Sequence, residues 1–274
     1  MSEQETIIRL EGVHKAFGKL VVLDGVDLSI RPGQTTVVIG PSGCGKSVLL
    51  KHIIGLLRPD RGRVYFREHL VSSMTERDLV AVRRRMGFLF QGGALFDSMT
   101  VEENICFPLA QHGVGTDRQQ KERCAEVLSL VGLGGLQQRM PAELSGGQQK
   151  RVALARAIAL RPEVILYDEP TTGLDPVRAD LINELILRLQ AELGTTAVVV
   201  THDMASARKV GDRIVMLHEG RFVVDTTPDR LEDVESDVVV RFVEGRASRE
   251  ELAQIQAGRA KPVPGAGCGA ESGE

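Results

Sequence analysis

Residues 40–47 fit the pattern of a phosphate-binding loop, GxxxxGK[ST], between an apolar run and a helical stretch. The loop consists of Gly40, Pro41, Ser42, Gly43, Cys44, Gly45, Lys46 and Ser47. Its glycines let successive backbone N–H groups turn toward phosphate oxygens, and the start of the following helix adds positive potential. A lysine at position 46 reaches the β- and γ-phosphates, and the Ser47 hydroxyl is a ligand for Mg²⁺. The sequence therefore predicts a site for a nucleoside triphosphate and Mg²⁺.

A second candidate site consists of the apolar run Val164–Tyr167 and the two acids that follow it, Asp168 and Glu169. A buried strand that ends in carboxylates places them at the carboxyl edge of a parallel sheet, where ligands bind. We expect Asp168 to hold Mg²⁺, directly or through water, and Glu169 to orient and polarise the attacking water as a general base. Two such acids alone would equally fit a solvated turn, and the phosphate-binding loop upstream favours catalysis.

The sequence Leu-Ser-Gly-Gly-Gln at residues 144–148 begins a predicted helix. Ser145 and Gln148 have the spacing of a capping box. Capping does not explain Gly146 and Gly147, because each glycine in a first helical turn costs about 1 kcal/mol relative to alanine. Bare backbone at a helix start is what close approach to a phosphate requires.

This pentapeptide, at its distance ahead of the acidic strand, resembles the signature of the ATP-binding cassette (ABC) ATPases, over about residues 6–245. The resemblance implies an α/β fold. A P-loop NTPase core with a RecA-like parallel sheet would carry an N-terminal antiparallel β subdomain and an inserted α-helical subdomain at about residues 92–162. ATP and Mg²⁺ are the implied cofactors. Residues 246–274 would form an extension whose first part associates with a partner and whose remainder is disordered.

The resemblance also assigns roles to four further residues. Phe17 resembles the aromatic residue that stacks on adenine, and Gln91 the glutamine that senses Mg²⁺. Asp175 lies in the D-loop, which crosses a dimer interface, and His202 matches the switch histidine that contacts the γ-phosphate. Phe17 could also be an ordinary core aromatic, and a lone histidine is more often structural. The neighbouring motif residues favour the functional interpretation of His202.

The hydrophobic pattern predicts the elements that position these residues. The β-branched run Thr35–Ile39 is typical of a strand buried on both faces. Residues 98–160 are predicted to be mostly helical, and three strands then alternate with helices: Val164–Tyr167, Ala197–Thr201 and Ile214–Leu217. Core positions are predicted for three leucines at helical spacing: Leu181, Leu185 and Leu189.

Composition excludes several classes of protein. The 274 residues include 34 Lys+Arg and 37 Asp+Glu, a formal net charge of −3, which argues against a dedicated nucleic-acid binder. No apolar run approaches the roughly 18–20 residues that cross a bilayer, and the N-terminus does not fit a secretory signal. The four cysteines (Cys44, Cys106, Cys124, Cys268) show no CxxC spacing, so neither a disulfide framework nor a zinc site is expected.

In ABC ATPases the P-loop of one subunit faces the signature of another, so the resemblance implies a homodimer and a separate integral-membrane permease. The residues after Gln91, Gly-Gly-Ala-Leu-Phe and Asp-Ser-Met-Thr-Val, are similar to those of the ATPases of Mla and Mce-associated lipid transporters. That branch implies an MlaE-like permease, an MCE-domain (MlaD-like) lipid-binding protein and sometimes a STAS-domain (MlaB-like) subunit. It also implies phospholipid transport between inner and outer membranes, with the ATPase peripheral on the cytoplasmic face of the inner membrane.

Three alternatives remain at this stage. The ATPase could serve another importer, with an amino acid or another small solute as cargo. It could be a non-transport ABC protein acting on DNA or ribosomes, although such proteins generally have two cassettes or a long coiled-coil insertion. It could also be a catalytically silent cassette, which the complete set of lysine, acidic and histidine motif residues disfavours.

Overall fold

The computed structural model describes residues 6–247 and Ala253, so nearly all of the predicted extension at 246–274 lies outside the described residues. The strands of the described part are, in chain order, β1 (Ile8–Phe17), β2 (Leu20–Ile30), β3 (Thr35–Ile39), β4 (Arg61–Phe66), β5 (His69–Leu70), β6 (Met86–Leu89), β7 (Val164–Asp168), β8 (Thr196–Thr201), β9 (Arg213–His218) and β10 (Arg221–Thr226). Its α-helices are α1 (Lys46–Ile53), α2 (Glu76–Arg83), α3 (Val101–Gln111), α4 (Asp117–Leu130), α5 (Gly146–Ile158), α6 (Pro176–Leu193), α7 (Met204–Val210) and α8 (Asp237–Glu244). None of these helices combines the length and apolar character that a bilayer crossing requires.

The strands form two sheets. The first is antiparallel, with strand order β2-β1-β4-β5, and the second has the order β10-β9-β3-β8-β7-β6. In the second sheet β9, β3, β8, β7 and β6 are parallel, and β10 pairs antiparallel with β9 at the edge. Helices connect the parallel strands, as a crossover between parallel strands requires. The arrangement agrees with the expected α/β fold.

The parallel register brings three strand ends to one edge of the second sheet. Ile39 pairs with Thr201, and Asp168 pairs with Val200. All residues of β3, β7 and β8 are buried, because β-branched and other apolar side chains cover both faces. Gly40, Glu169 and His202 each follow one of these strands, so they emerge side by side.

The core lies on both faces of the second sheet. Along β3, Val37 and Ile39 belong to one apolar cluster and Val38 belongs to the other, as the alternation of side chains along a strand dictates. The first cluster includes side chains from α3, α4, α5 and α6. Helices α3, α4 and α5 lie between β6 and β7 in the sequence, so a helical insertion separates two neighbouring strands of the sheet.

The side chain of Asn104 on α3 holds the loop that precedes this helix. Its Oδ1 accepts from the backbone N–H of Phe96 at 2.8 Å, and its Nδ2 donates to the carbonyls of Phe96, Met99 and Thr100 at 3.0–3.1 Å. Asn104 is fully buried. One buried amide therefore fixes the shape of residues 96–100.

We predict that Asn104→Leu lowers the free energy of unfolding by about 2 kcal/mol, because it leaves several backbone groups of the loop without their partner. Urea denaturation followed by circular dichroism measures the change. The matched control is Gln111→Leu, which replaces an exposed amide on the same helix and should change stability by less than about 0.5 kcal/mol. Equal effects of the two substitutions would contradict the prediction.

Candidate active site

The phosphate-binding loop follows β3 directly and ends at the start of α1. Gly40 has a φ of 149°, and a Cβ there would lie 2.2 Å from the carbonyl oxygen of Leu217 on β9. Gly45 has a φ of 108°, and a Cβ there would lie 2.7 Å from Cγ1 of Val22 on β2. Only glycine fits these two positions, because both the backbone conformation and the neighbouring strands exclude a side chain. The loop therefore packs between β9 of the second sheet and β2 of the first.

Lys46 and Ser47 begin α1 and point toward the strand that carries the acids. The Lys46 ammonium is buried, donates to the carbonyls of Gly40 and Pro41 at 2.8 and 3.1 Å, and lies 3.5 Å from Oε1 of Glu169. The Ser47 hydroxyl donates to Oδ1 of Asp168 at 2.7 Å. Residues separated by more than a hundred positions in the sequence are therefore in direct contact.

Glu169 is the centre of this cluster. Its side chain is buried, and Oε2 lies 2.9 Å from Nδ1 of His202 and 3.1 Å from the hydroxyl of Thr172, which donates to it. Its backbone has a φ of 49°, a strained value for a residue with a side chain, and its N–H donates to the carbonyl of Val200 at 3.0 Å. Backbone strain at a buried carboxylate is typical of functional sites.

Asp168 and Ser47 together offer oxygen ligands for a hard cation. Burial raises the pKa of the Asp168 carboxyl, while the hydrogen bond from Ser47 acts in the opposite direction. Within the described part of the chain, no group of three or more His, Cys, Asp or Glu side chains could hold a metal ion. One hydroxyl and one carboxylate fit Mg²⁺, which keeps most of its ligands as water and substrate phosphates.

Gln91 and Phe17 lie outside this cluster. Gln91 is exposed in the loop after β6, two residues beyond Leu89, which pairs with Tyr167 on β7. The loop therefore leaves the sheet at the same edge as Asp168. Phe17 ends β1 with 47% of its surface exposed and the Lys15 ammonium 5.5 Å from its ring centroid, so it is not a core aromatic.

The Ser145–Gln148 segment begins α5 at a separate cavity. Gln148 N–H donates to the Ser145 hydroxyl at 3.4 Å, and Ser145 N–H donates to the Gln148 side chain at 2.9 Å, as in a capping box. A cavity of about 250 Å³ lies beside it, lined by Ser145, Gly147, Gln148, Arg151, Arg178, Leu181 and Ile182. This lining includes no residue of the phosphate-binding loop.

Helix α6 forms the other wall of that cavity. Asp175 caps the helix by accepting from the Arg178 N–H at 3.0 Å and also pairs with the Arg178 guanidinium at 3.2 Å. Leu181 was expected in the core, and this expectation is wrong: 52% of its surface is exposed. Its position on α6 faces the cavity beside the signature, whereas Leu189 is fully buried.

Sequence reasoning missed Lys150, which joins the helix of the signature to the segment after Glu169. The Lys150 ammonium is buried and donates to the carbonyls of Pro170, at 3.0 Å, and Thr172. Burial lowers the pKa of Lys150, while the negative charge of Glu169 raises it. A lysine one turn into a polar helix start gives no sign of burial in the sequence.

Comparison with known proteins identifies the family. A family model described as ABC transporter matches residues 23–172. The chain is 41% identical over 239 residues to the "Probable ribonucleotide transport ATP-binding protein mkl" of Mycobacterium tuberculosis, covering 87% of this chain and 67% of that protein. It is 36% identical over 243 residues to the "Intermembrane phospholipid transport system ATP-binding protein MlaF" of Haemophilus influenzae, covering 89% of this chain and 92% of that protein.

A solved structure has the same fold. The dimeric post-hydrolysis state of the ATP-binding cassette MJ0796, bound to ADP and Pi, aligns with a TM-score of 0.75 and 36% identity, covering 81% of this chain and 98% of that chain. The expected α/β cassette fold is thereby confirmed. Because the family model spans more than half of the residues, the chain belongs to the ABC transporter family and is its ATP-binding, ATP-hydrolysing subunit.

Proposed function

We propose that this ATPase powers phospholipid transport between the inner and outer membranes through a separate, MlaE-like permease. The observation that carries the ATPase part is the cluster of Lys46, Ser47, Asp168, Glu169 and His202 at one sheet edge. The lipid cargo is supported by the name of the Haemophilus influenzae relative and by the residues after Gln91. The ATPase would sit peripherally at the cytoplasmic face of the inner membrane. An MlaD-like MCE-domain protein and an MlaB-like STAS-domain subunit would complete the assembly.

Each residue of the cluster would have a separate role in ATP hydrolysis. The backbone N–H groups of residues 40–47 and the Lys46 ammonium would bind the β- and γ-phosphates. The Glu169 carboxylate would accept a proton from the attacking water, and His202, 2.9 Å from that carboxylate, would hold it in place and face the γ-phosphate. Phe17, with its exposed ring, would stack on the adenine.

Mg²⁺ would be held by Ser47 and Asp168, with Gln91 from the adjacent loop. When bound, the ion supplies positive charge that neutralises the phosphates. The Ser47–Asp168 hydrogen bond of 2.7 Å already places these two oxygens together. Burial of Asp168 limits the competing hydration of its carboxylate.

The active unit in this proposal is a head-to-tail homodimer. The signature residues Ser145, Gly146, Gly147 and Gln148 line or adjoin a cavity that excludes the phosphate-binding loop of their own chain. Two copies arranged so that each signature faces the other copy's loop would enclose ATP from both sides, with Asp175 at the interface. The dimeric state of MJ0796, which is bound to ADP and Pi, supports a dimer of cassettes. In this scheme residues 6–245 form the nucleotide-binding domain, with a helical subdomain at about 92–162, and residues 246–274 form an extension.

A different small-solute cargo is the competing proposal. The Mycobacterium tuberculosis relative is named for ribonucleotide transport. The residues after Gln91 favour the lipid cargo, because they are similar to those of the ATPases of Mla and Mce-associated lipid transporters. Phe96 there is 41% exposed, which leaves an apolar side chain for a partner.

We predict that Glu169→Gln reduces ATP hydrolysis at least about 100-fold while ATP binding persists, because the amide cannot accept the proton from water. Phosphate release and equilibrium binding of labelled ATP measure the two properties. The matched control is Glu163→Gln, which lies just before the opposite end of β7 and pairs with Arg85 and Arg67. Hydrolysis by Glu169→Gln at the wild-type rate would contradict the role proposed for Glu169.

We predict that Gly146→Ala weakens ATP-dependent dimerisation of the Glu169→Gln protein, although it strains nothing within one chain. A Cβ at Gly146 meets no atom within 4 Å, and alanine should stabilise the helix by about 1 kcal/mol. Sedimentation with ATP measures the dimer. The control is Gly134→Ala, in a loop where a Cβ also meets no atom within 4 Å. Unchanged dimerisation by Gly146→Ala would show that no second chain approaches this residue.

We predict that the full-length chain, purified by affinity from detergent-solubilised native membranes, brings with it a polytopic permease and an MCE-domain protein. Lipid extraction of the eluate followed by mass spectrometry should detect bound phospholipid. A parallel purification from detergent-free soluble extract serves as the control. Recovery of a permease with a soluble solute-binding protein would replace the lipid cargo with a small solute.

A further inference from the structure

A buried polar network connects helix α6 to the turn that carries His202. Asn183 on α6 and Ser206 on α7 are only 4% and 1% exposed, and Asn183 Nδ2 donates to the Ser206 hydroxyl at 2.9 Å. The Ser206 oxygen lies 2.6 Å from Oδ2 of Asp203 and 3.5 Å from the hydroxyl of Thr171. Asp203 follows His202 directly, and Thr171 is two residues after the catalytic glutamate.

The proton inventory of Ser206 fixes the direction of each bond. A carboxylate can only accept, so the single hydroxyl proton of Ser206 goes to Asp203. A lone pair of the Ser206 oxygen then accepts from Asn183, and the Thr171 hydroxyl oxygen lies 3.5 Å from the same atom. A hydrogen bond to a charged acceptor is stronger than one between neutral groups, so Asp203 is the end that this network holds most firmly.

The other oxygen and the backbone of Asp203 are held as well. Its Oδ1 accepts from the N–H of Ala205 at 3.0 Å, which caps α7, and its own N–H donates to the hydroxyl of Thr201 at 3.0 Å. With Asp203 fixed on all sides, the preceding residue has little freedom. In this position of the turn the His202 Nδ1 atom lies 2.9 Å from Oε2 of Glu169.

The side-chain amide of Asn183, which donates to Ser206, lowers the stability of the fold through its other polar atom. Among the described residues, its Oδ1 is buried and has no hydrogen-bond partner. An unsatisfied buried acceptor is unfavourable, and an apolar side chain of similar size would avoid the loss. Maximal stability therefore does not account for an amide at this position, whereas the bond to Ser206 does.

We propose that Asn183 and Ser206 are positioning residues for ATP hydrolysis, which hold the Asp203 turn so that His202 meets Glu169. This inference rests on the proposed roles of Glu169 and His202. Asn183 lies two turns after Asp175, the N-cap of α6, which is assigned to the dimer interface. The network therefore also ties the His202 turn to the helix that a second copy would contact.

The test compares Asn183→Leu with Gln190→Leu in the full-length chain, purified with the membrane proteins that accompany it. Gln190 is an amide near the far end of the same helix, where it donates to the carbonyl of Gly33 at 3.0 Å. For Asn183→Leu we expect a kcat about ten-fold lower, with the KM for ATP within about two-fold and the melting temperature equal or higher. For Gln190→Leu we expect an unchanged kcat.

Ser206 provides a second comparison. Ser206→Ala should lower kcat in the same way, and Ser206→Thr, which keeps the hydroxyl, should restore most of it. A wild-type kcat in both Asn183→Leu and Ser206→Ala would overturn the inference. A lower kcat that is accompanied in every variant by a lower melting temperature or a higher KM for ATP would also overturn it, because a purely structural role predicts those changes. Hydrolysis by Glu169→Gln would instead contradict the proposed function, so the two failures are distinguishable.

Discussion

Burial of the Glu169 carboxylate is the constraint on which the rest of the active site depends. A charged carboxylate that is 7% exposed is tolerated only when other groups replace the water it has lost. Lys46, Thr172 and His202 replace that water, and each comes from a different segment of the chain. The order β3-β8-β7 in the sheet places these three segments next to one another. A substitution at any one of these partners therefore affects the carboxylate rather than one isolated contact.

The same carboxylate is linked to two elements that do not touch it. Lys150 holds the backbone after Glu169 from the helix that begins with the signature. Asn183 and Ser206 hold the His202 turn from the helix that begins at Asp175. Both helices start at the cavity where a second copy is proposed to approach. A shift of either helix on dimer formation would thus be transmitted to the Glu169–His202 contact through short, buried hydrogen bonds.

The sequence was sufficient to predict the fold class and the residues of the central cluster, because their motifs have fixed spacing and follow recognisable strands. The structure shows that the residues of the cluster lie together, and the roles of all the site residues remain predictions. Leu181 was misassigned to the core because helical spacing indicates one apolar face but not what covers it. Lys150, Asn104 and Asn183 were missed for a related reason. Each is a polar residue whose importance comes from burial against backbone or side chains distant in the sequence, and no local pattern marks that burial.

Charge gives a physical reason why ATP would join two such surfaces in the proposed dimer. The phosphate-binding loop presents a helix start and Lys46, and the signature cavity presents another helix start with Arg151 and Arg178. Two of these charges are already offset within their own chain, Lys46 by Glu169 and Arg178 by Asp175, so in the proposed dimer neither face strongly attracts the other without a ligand. A triphosphate between them would be attracted to the helix starts and the cationic side chains on both sides. Cleavage of the γ-phosphate would split its charge between two products, and the attraction across the interface would weaken when the free phosphate leaves.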